Sequence, residues 1–217
     1  MTTFRLARGV PAPRQGGDTT CGPAALTVAR MVVDPALAQW VVTADSPGPR
    51  MPLLRSPRGA ATPAARFAAY EAEVHARVTS SDGGRRLPWP RALGTPPWGA
   101  RAELEGLARP PGTRYRCVLV RFLDPARRRR LLEHMSAHVT ETRPGVVYVG
   151  SALLPRHVAL LVSAPEGLLV YDPGDGSVEP LEIAGVSAAR HSIGGWSMPW
   201  WFIAPVGHLD DSGSVDR

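Results

Sequence analysis

The strand-forming runs of this chain crowd into its second half. RCVLVRFL (116–123) comes first. After a helical stretch follow GVVYVG (145–150), RHVALLVS (156–163), GLLVYDPG (167–174) and PWWFIAPV (199–206), separated by turn residues. Strands that succeed one another without intervening crossover helices pair antiparallel. The earlier half reads as helix and irregular chain. Such segregation predicts an α+β fold with an antiparallel sheet, not a doubly wound α/β fold.

The helical patterns are short. Over 22–33 the positions Ala25, Val28, Ala29, Val32 and Val33 recur at spacings of three and four, with Gly22 and Pro23 in the first turn, where proline is tolerated. AARFAAYEAEVHARV (64–78) predicts a second helix, and 100–108 a short third. In DPARRRRLLEHMSAHVTE (124–141), Asp124 is placed to cap a helix whose first residue is Pro125. The stretches 44–65 and 80–99 are rich in turn-forming residues and read as loops, although Trp89 and Trp98 predict that the second packs down. The pattern predicts one domain over 1–206 with an insertion at about 44–112, and a polar tail over 207–217.

Composition narrows the partners. No apolar run reaches the ~18 residues of a membrane span. The opening MTTFRLARGVPAPRQ has no apolar signal core, so a cytoplasmic chain is expected. The net charge is +6, all 25 basic residues are Arg, and Lys and Asn do not occur, a bias that compositional drift produces without any nucleic-acid partner. The densest cluster, Arg127 to Arg130, occupies four successive helical positions and wraps more than one face, whereas a nucleic-acid footprint is a stripe. No nucleic acid and no membrane segment are expected.

Two cysteines are too few for a disulfide framework or a cysteine-rich zinc site. Cys117 lies mid-strand among Val118, Leu119 and Val120 and reads as core. Cys21, in RQGGDTTCGPAALTVARMVV, lies where a loop becomes a helix. The unpaired N–H groups and positive dipole end of a helix N-terminus stabilise a thiolate. A buried structural cysteine is the plainer alternative. The small residues Gly22, Ala24 and Ala25 would let a substrate backbone come close.

A cysteine nucleophile needs a base. His75, His134 and His138 lie on predicted helices, and the last two are spaced four apart without a third metal ligand; no metal or cofactor is called for. His191 lies in a Gly/Ser-rich region and His208 in the tail. His157 opens the strand HVALLV, apolar on both faces. The following strand ends at Asp172. An even hairpin loop of two or four residues puts the two side chains on one face, opposite or one diagonal apart; an odd loop separates them. There Asp172 would fix the imidazole tautomer and support the imidazolium. For the oxyanion of acyl transfer, the Cys21 N–H is one donor, and the Gln15 amide, folded back by the GGDTT loop, is a second.

The order Gln, Cys, His, Asp resembles the papain-like cysteine peptidases, and in detail the double-glycine-leader peptidase domain of bacteriocin exporters and its free-standing relatives. The residues that carry it are Gln15 in RQGGDTTCGPAAL, Cys21 in TTCGPAA, His157 in LPRHVALLVS and Asp172 in LLVYDPGDG. The resemblance implies a papain-like fold, a Cys-His-Asp triad with Gln15 in the oxyanion hole, and a peptide or protein substrate. A thiol acyltransferase or deamidase would use the same triad, and a non-catalytic peptide-binding domain is the reading from a different class.

Overall fold

The computed structural model describes residues 4–49, 60–79 and 89–206. Helix α1 (Cys21–Val33) ends because Pro35 cannot continue it, and Asp34 between them caps the next helix, α2 (Pro35–Thr43), by accepting from the N–H groups of Ala36 and Leu37. The chain bends by 112° at this break. The sequence pattern missed α2. Helices α3 (Pro63–Thr79) and α4 (Pro97–Leu107) follow, close to their expected places, with a single 3₁₀ turn at Arg91–Leu93 before α4.

Strand β1 (Tyr115–Leu119) is shorter than expected, because Val120–Leu123 turn away into the Asp124-capped helix α5 (Pro125–Ser136). Then come β2 (Gly145–Gly150), β3 (Pro155–Ala164), β4 (Gly167–Tyr171), β5 (Val178–Pro180), the short helix α6 (Ile183–Ser187) and β6 (Met198–Pro205). The six strands form one antiparallel sheet in the order β1-β6-β2-β3-β4-β5. The α+β class expected from the segregated strands is therefore the observed one. The expected polar tail, 207–217, lies outside the described residues, as do 50–59 and 80–88 of the expected loops.

The sheet is covered on both faces. Val146, Tyr148, Val158, Leu160, Leu169 and Tyr171 point into the core shared with α1 to α4. Their neighbours Val147, Val149, Ala159, Leu161 and Val170 point into a second core with α5 and α6. This explains the uninterrupted apolar run of β3. Segment 44–112 contributes Phe67, Tyr70, Val74, Leu104 and Leu107 to the first core, beside Leu26 and Val28 of α1. Trp89 does pack down: its ring meets Trp98 edge-on at 5.4 Å and Trp201 at 5.7 Å, and its indole N–H donates to Gly94 O at 3.0 Å.

No single helix among the described residues is long and apolar enough to cross a membrane. The Arg127–Arg130 run does divide between faces. Arg129 pairs with Glu133 in solvent, while Arg128 is buried and donates to four backbone carbonyls.

Candidate active site

The hairpin between β3 and β4 closes with the two residues Pro165 and Glu166, since Ala164 pairs with Gly167 and Leu160 with Tyr171. Extending that register sets His157 and Asp172 on one face, one diagonal apart. His157 Nε2 lies 2.7 Å from Asp172 Oδ1, and both residues are buried, 8% and 7% exposed. The same Oδ1 accepts the Gly174 N–H at 2.8 Å, and the Gly194 N–H lies close enough to help lower the pKa of this carboxylate.

These contacts set the charges. Burial works to raise the Asp172 pKa, but the hydrogen bond and charge of His157, with the Gly174 and Gly194 amides, hold it below its usual 3.8. Burial works to lower the His157 pKa, and is outweighed by the hydrogen bond that its ring N–H donates to Asp172 and by the Cys21 thiol, which together raise it to about 9. The imidazolium is thus the favoured form at neutral pH.

Cys21 is the first residue of α1, buried and close enough to the His157 ring to raise its pKa. Asp172 occupies Nε2, so Nδ1 is the ring nitrogen left for the sulfur. By strand alternation His157 belongs with Ala159 and Leu161, on the face opposite Tyr148 and the α1 core. Helix α1 packs against β3, and His157 lies near the start of that strand. Thr20 precedes the helix without capping it. Its hydroxyl accepts from the Gly17 N–H at 3.1 Å and donates to Gly17 O at 3.0 Å. The first-turn N–H groups of α1 therefore lack a side-chain cap. Cys117 contrasts: it is half-buried, and burial pushes its pKa up to about 11.

Gln15 is placed by the loop ahead of α1. Its backbone N–H donates to Pro173 O at 2.8 Å, tying it to the turn after Asp172. Its side-chain Nε2 donates to Gly17 O at 2.8 Å, and Oε1 is buried without a partner. One of the two amide protons is thus used within the loop.

One expectation about the small residues of α1 is corrected. A Cβ on Gly22 would overlap the Thr95 hydroxyl, and Ala24 and Ala25 are fully buried. Their size admits the 94–95 segment and the core, not a substrate backbone. His134 and His138 contact each other edge-on at 5.5 Å, and His75 Nδ1 is buried without a partner. His208 lies outside the described residues. Among the described residues no group of three or more His, Cys, Asp or Glu side chains could hold a metal ion.

Two residues at the site escaped the sequence reading. Glu71 of α3 is buried, and both its carboxylate oxygens accept the Gly16 N–H, at 3.2 and 3.1 Å. The signal was available: Glu71 falls in the buried helical stripe Phe67, Tyr70, Val74, Val78, where a carboxylate has no reason to be unless it binds something. Gly194 is the other. It sits at φ +58°, and a Cβ there would lie 2.6 Å from His157 Cδ2 and 2.7 Å from Nε2. The Gly194-Gly195 doublet announced a special backbone, although not its target.

Compared with family models, curated proteins and solved structures, the chain matches none.

Proposed function

We propose that this chain is a papain-like cysteine peptidase that hydrolyses peptide or protein substrates through an acyl-enzyme. The observation that carries the proposal is the position of His157. Its ring is bound through Nε2 to the buried carboxylate of Asp172 and meets, on its other side, a thiol at the uncapped N-terminus of a helix. A purely structural cysteine needs neither partner.

In this reading the Cys21 thiolate attacks the carbonyl carbon of the scissile amide. The oxyanion is met by the Cys21 N–H and the Gln15 amide, worth several kcal/mol of barrier. His157 Nδ1 gives its proton to the leaving nitrogen as the C–N bond breaks and a thioester forms. Water then attacks the thioester, His157 takes its proton, and the carboxylate product leaves with the thiolate restored. Asp172 holds the tautomer and the positive charge throughout. A reducing compartment such as the cytoplasm keeps Cys21 in this chemistry. The likeness of the Gln15, Cys21, His157 and Asp172 motifs to the double-glycine-leader peptidases agrees with this assignment.

The test is product analysis on a library of fluorogenic peptidyl-amides. A free carboxylate, with a transient acyl group on Cys21 by intact-mass spectrometry, supports a peptidase. Release of ammonia from side-chain amides, or exchange onto an added amine without hydrolysis, assigns the same triad to a deamidase or acyltransferase instead.

A further inference from the structure

We infer that Glu71 is a positioning residue for the oxyanion side of the site, a role that rests on the peptidase reading above. The loop from Gln15 to Thr20 carries both donors: Gln15 at its start, and the Cys21 N–H immediately after its end. Its backbone is held from two directions. On one side Pro173 O takes the Gln15 N–H at 2.8 Å. On the other, Glu71 reaches from α3 and takes the Gly16 N–H on both carboxylate oxygens. The carboxylate also lies near Thr20 at the far end of the loop, whose own hydroxyl proton goes to Gly17 O.

The fit is tight and costly. A Cβ on Gly16 would lie 3.0 Å from Glu71 Oε2, so the loop approaches the carboxylate as closely as a glycine permits. Glu71 is 3% exposed, and a carboxylate in such a place is retained only where its hydrogen bonds repay desolvation. What it holds is a segment whose other contacts are local: Thr20 and Gln15 both turn their side chains to Gly17. With Glu71 gone, Gly16 N–H loses its acceptor, and Gln15 loses one of the two anchors that aim its amide. The thiol keeps its neighbours, because His157 is carried by β3 and Asp172 by the turn after β4, where the Gly174 N–H holds it, and the loop's tie to that turn, Gln15 N–H to Pro173 O, does not involve Glu71.

That separation makes the role testable. Alkylation by iodoacetamide needs the thiolate but builds no oxyanion; amide hydrolysis needs both. In Glu71→Ala, kcat on a fluorogenic peptidyl-amide should fall on the order of ten- to a hundredfold, part of the full loss of an oxyanion donor, with KM changed much less. Alkylation of Cys21 should stay within about threefold of wild type. Glu71→Gln, which keeps an acceptor for Gly16, should recover most of kcat. The double variant Gln15→Ala/Glu71→Ala should be within about threefold of Gln15→Ala alone, since both act through one group. If the two losses multiply, or alkylation falls in step with hydrolysis, Glu71 serves the fold or the thiolate and this role is overturned. A wild-type chain with no selective labelling of Cys21 and no turnover overturns the peptidase reading and this role together.

Discussion

His157 Nε2 and Asp172 Oδ1 stand 2.7 Å apart because the hairpin joining their strands closes in two residues, Pro165 and Glu166. One residue more would turn Asp172 to the opposite face of the sheet and leave the imidazole without its carboxylate. Beyond the ladder, Asp172 is fixed by the turn that follows it, where Gly174 donates to the same oxygen at 2.8 Å. Its own N–H donates to Ser177 O at 2.9 Å. The carboxylate is thus held by backbone contacts as well as by the ring. The hairpin builds the base, and α1 brings the thiol to it.

The thiol pair is the first consequence to test. Cys21→Ala and His157→Ala should each lower kcat/KM by about 10³-fold or more while leaving the circular dichroism spectrum unchanged. Iodoacetamide near pH 7 should modify Cys21 at least about tenfold faster than Cys117, whose half-buried thiol is protonated there. Equal, slow labelling of both sites, or loss of secondary structure in the Cys21 variant, would make Cys21 a core residue.

The charge on His157 gives a pH signature. The imidazolium is the acid for the leaving amine, so activity should decline as pH rises through about 9, where His157 loses its proton. The raised pKa means that the pair stabilises the fold fully below the ordinary 6.5 and loses this contribution as pH passes about 9. For Asp172, held below its usual 3.8, the stabilisation is present above that value and is lost on acidification. Asp172→Asn removes the anion, so the alkaline limb of kcat/KM should move down toward ordinary imidazole values. An unmoved limb in that variant would mean that another group sets it.

The glycine pair 194–195 allows ring contact and backbone strain to be separated. Both residues have positive φ, +58° and +80°, so alanine at either strains the backbone by about 1–2 kcal/mol. At Gly194 the added methyl would also press on His157 Cδ2 and Nε2, at 2.6 and 2.7 Å, whereas at Gly195 it meets nothing within 4 Å. Gly194→Ala should therefore lower kcat on the order of a hundredfold by displacing the ring, and Gly195→Ala by no more than about threefold at similar loss of melting temperature. Equal activities in the two variants would show that the 194–195 segment does not hold the imidazole.

The order of legibility follows the range of the interactions. Period and turn residues are local, so the strands and the α5 cap at Asp124 could be read from spacing, while the pairing of His157 with Asp172 turned on an even hairpin loop, which spacing left open. Asp34 marks the start of α2 as clearly as Asp124 marks α5. The helical pattern over 22–33 stops before Asp34, and 34–43 carries no expected element although Asp34 followed by Pro35 is a start signal of the same kind. What spacing cannot give is which surface a small residue faces. Gly22 lies against Thr95, more than seventy positions later, and Gly194 against His157. Glu71 lay between these cases: its place in a buried stripe was visible, but Gly16 as its partner depends on how α3 packs beside α1.

Arg128 offers a test of the fold independent of the thiol. It is buried, and its guanidinium donates to Val120 O at 3.2 Å, Ser187 O at 2.7 Å, Arg121 O at 3.3 Å and Leu123 O at 2.9 Å. These carbonyls belong to the turn after β1 and the end of α6, so one side chain ties α5 to both. Arg128→Ala leaves the carbonyls without a donor in a closed site and should cost on the order of 3 kcal/mol. For a chain of this length that corresponds to a fall in melting temperature of roughly 6–12 °C. Arg128→Lys should recover less than half, because one ammonium cannot reach four acceptors laid out for a planar fork. Labelling of Cys21 at temperatures below the transition should be unchanged in both, since α5 lies across the sheet from α1. A melting temperature within about 2 °C of wild type in Arg128→Ala would mean that water serves these carbonyls equally well and that the β1–α5 turn holds without the guanidinium.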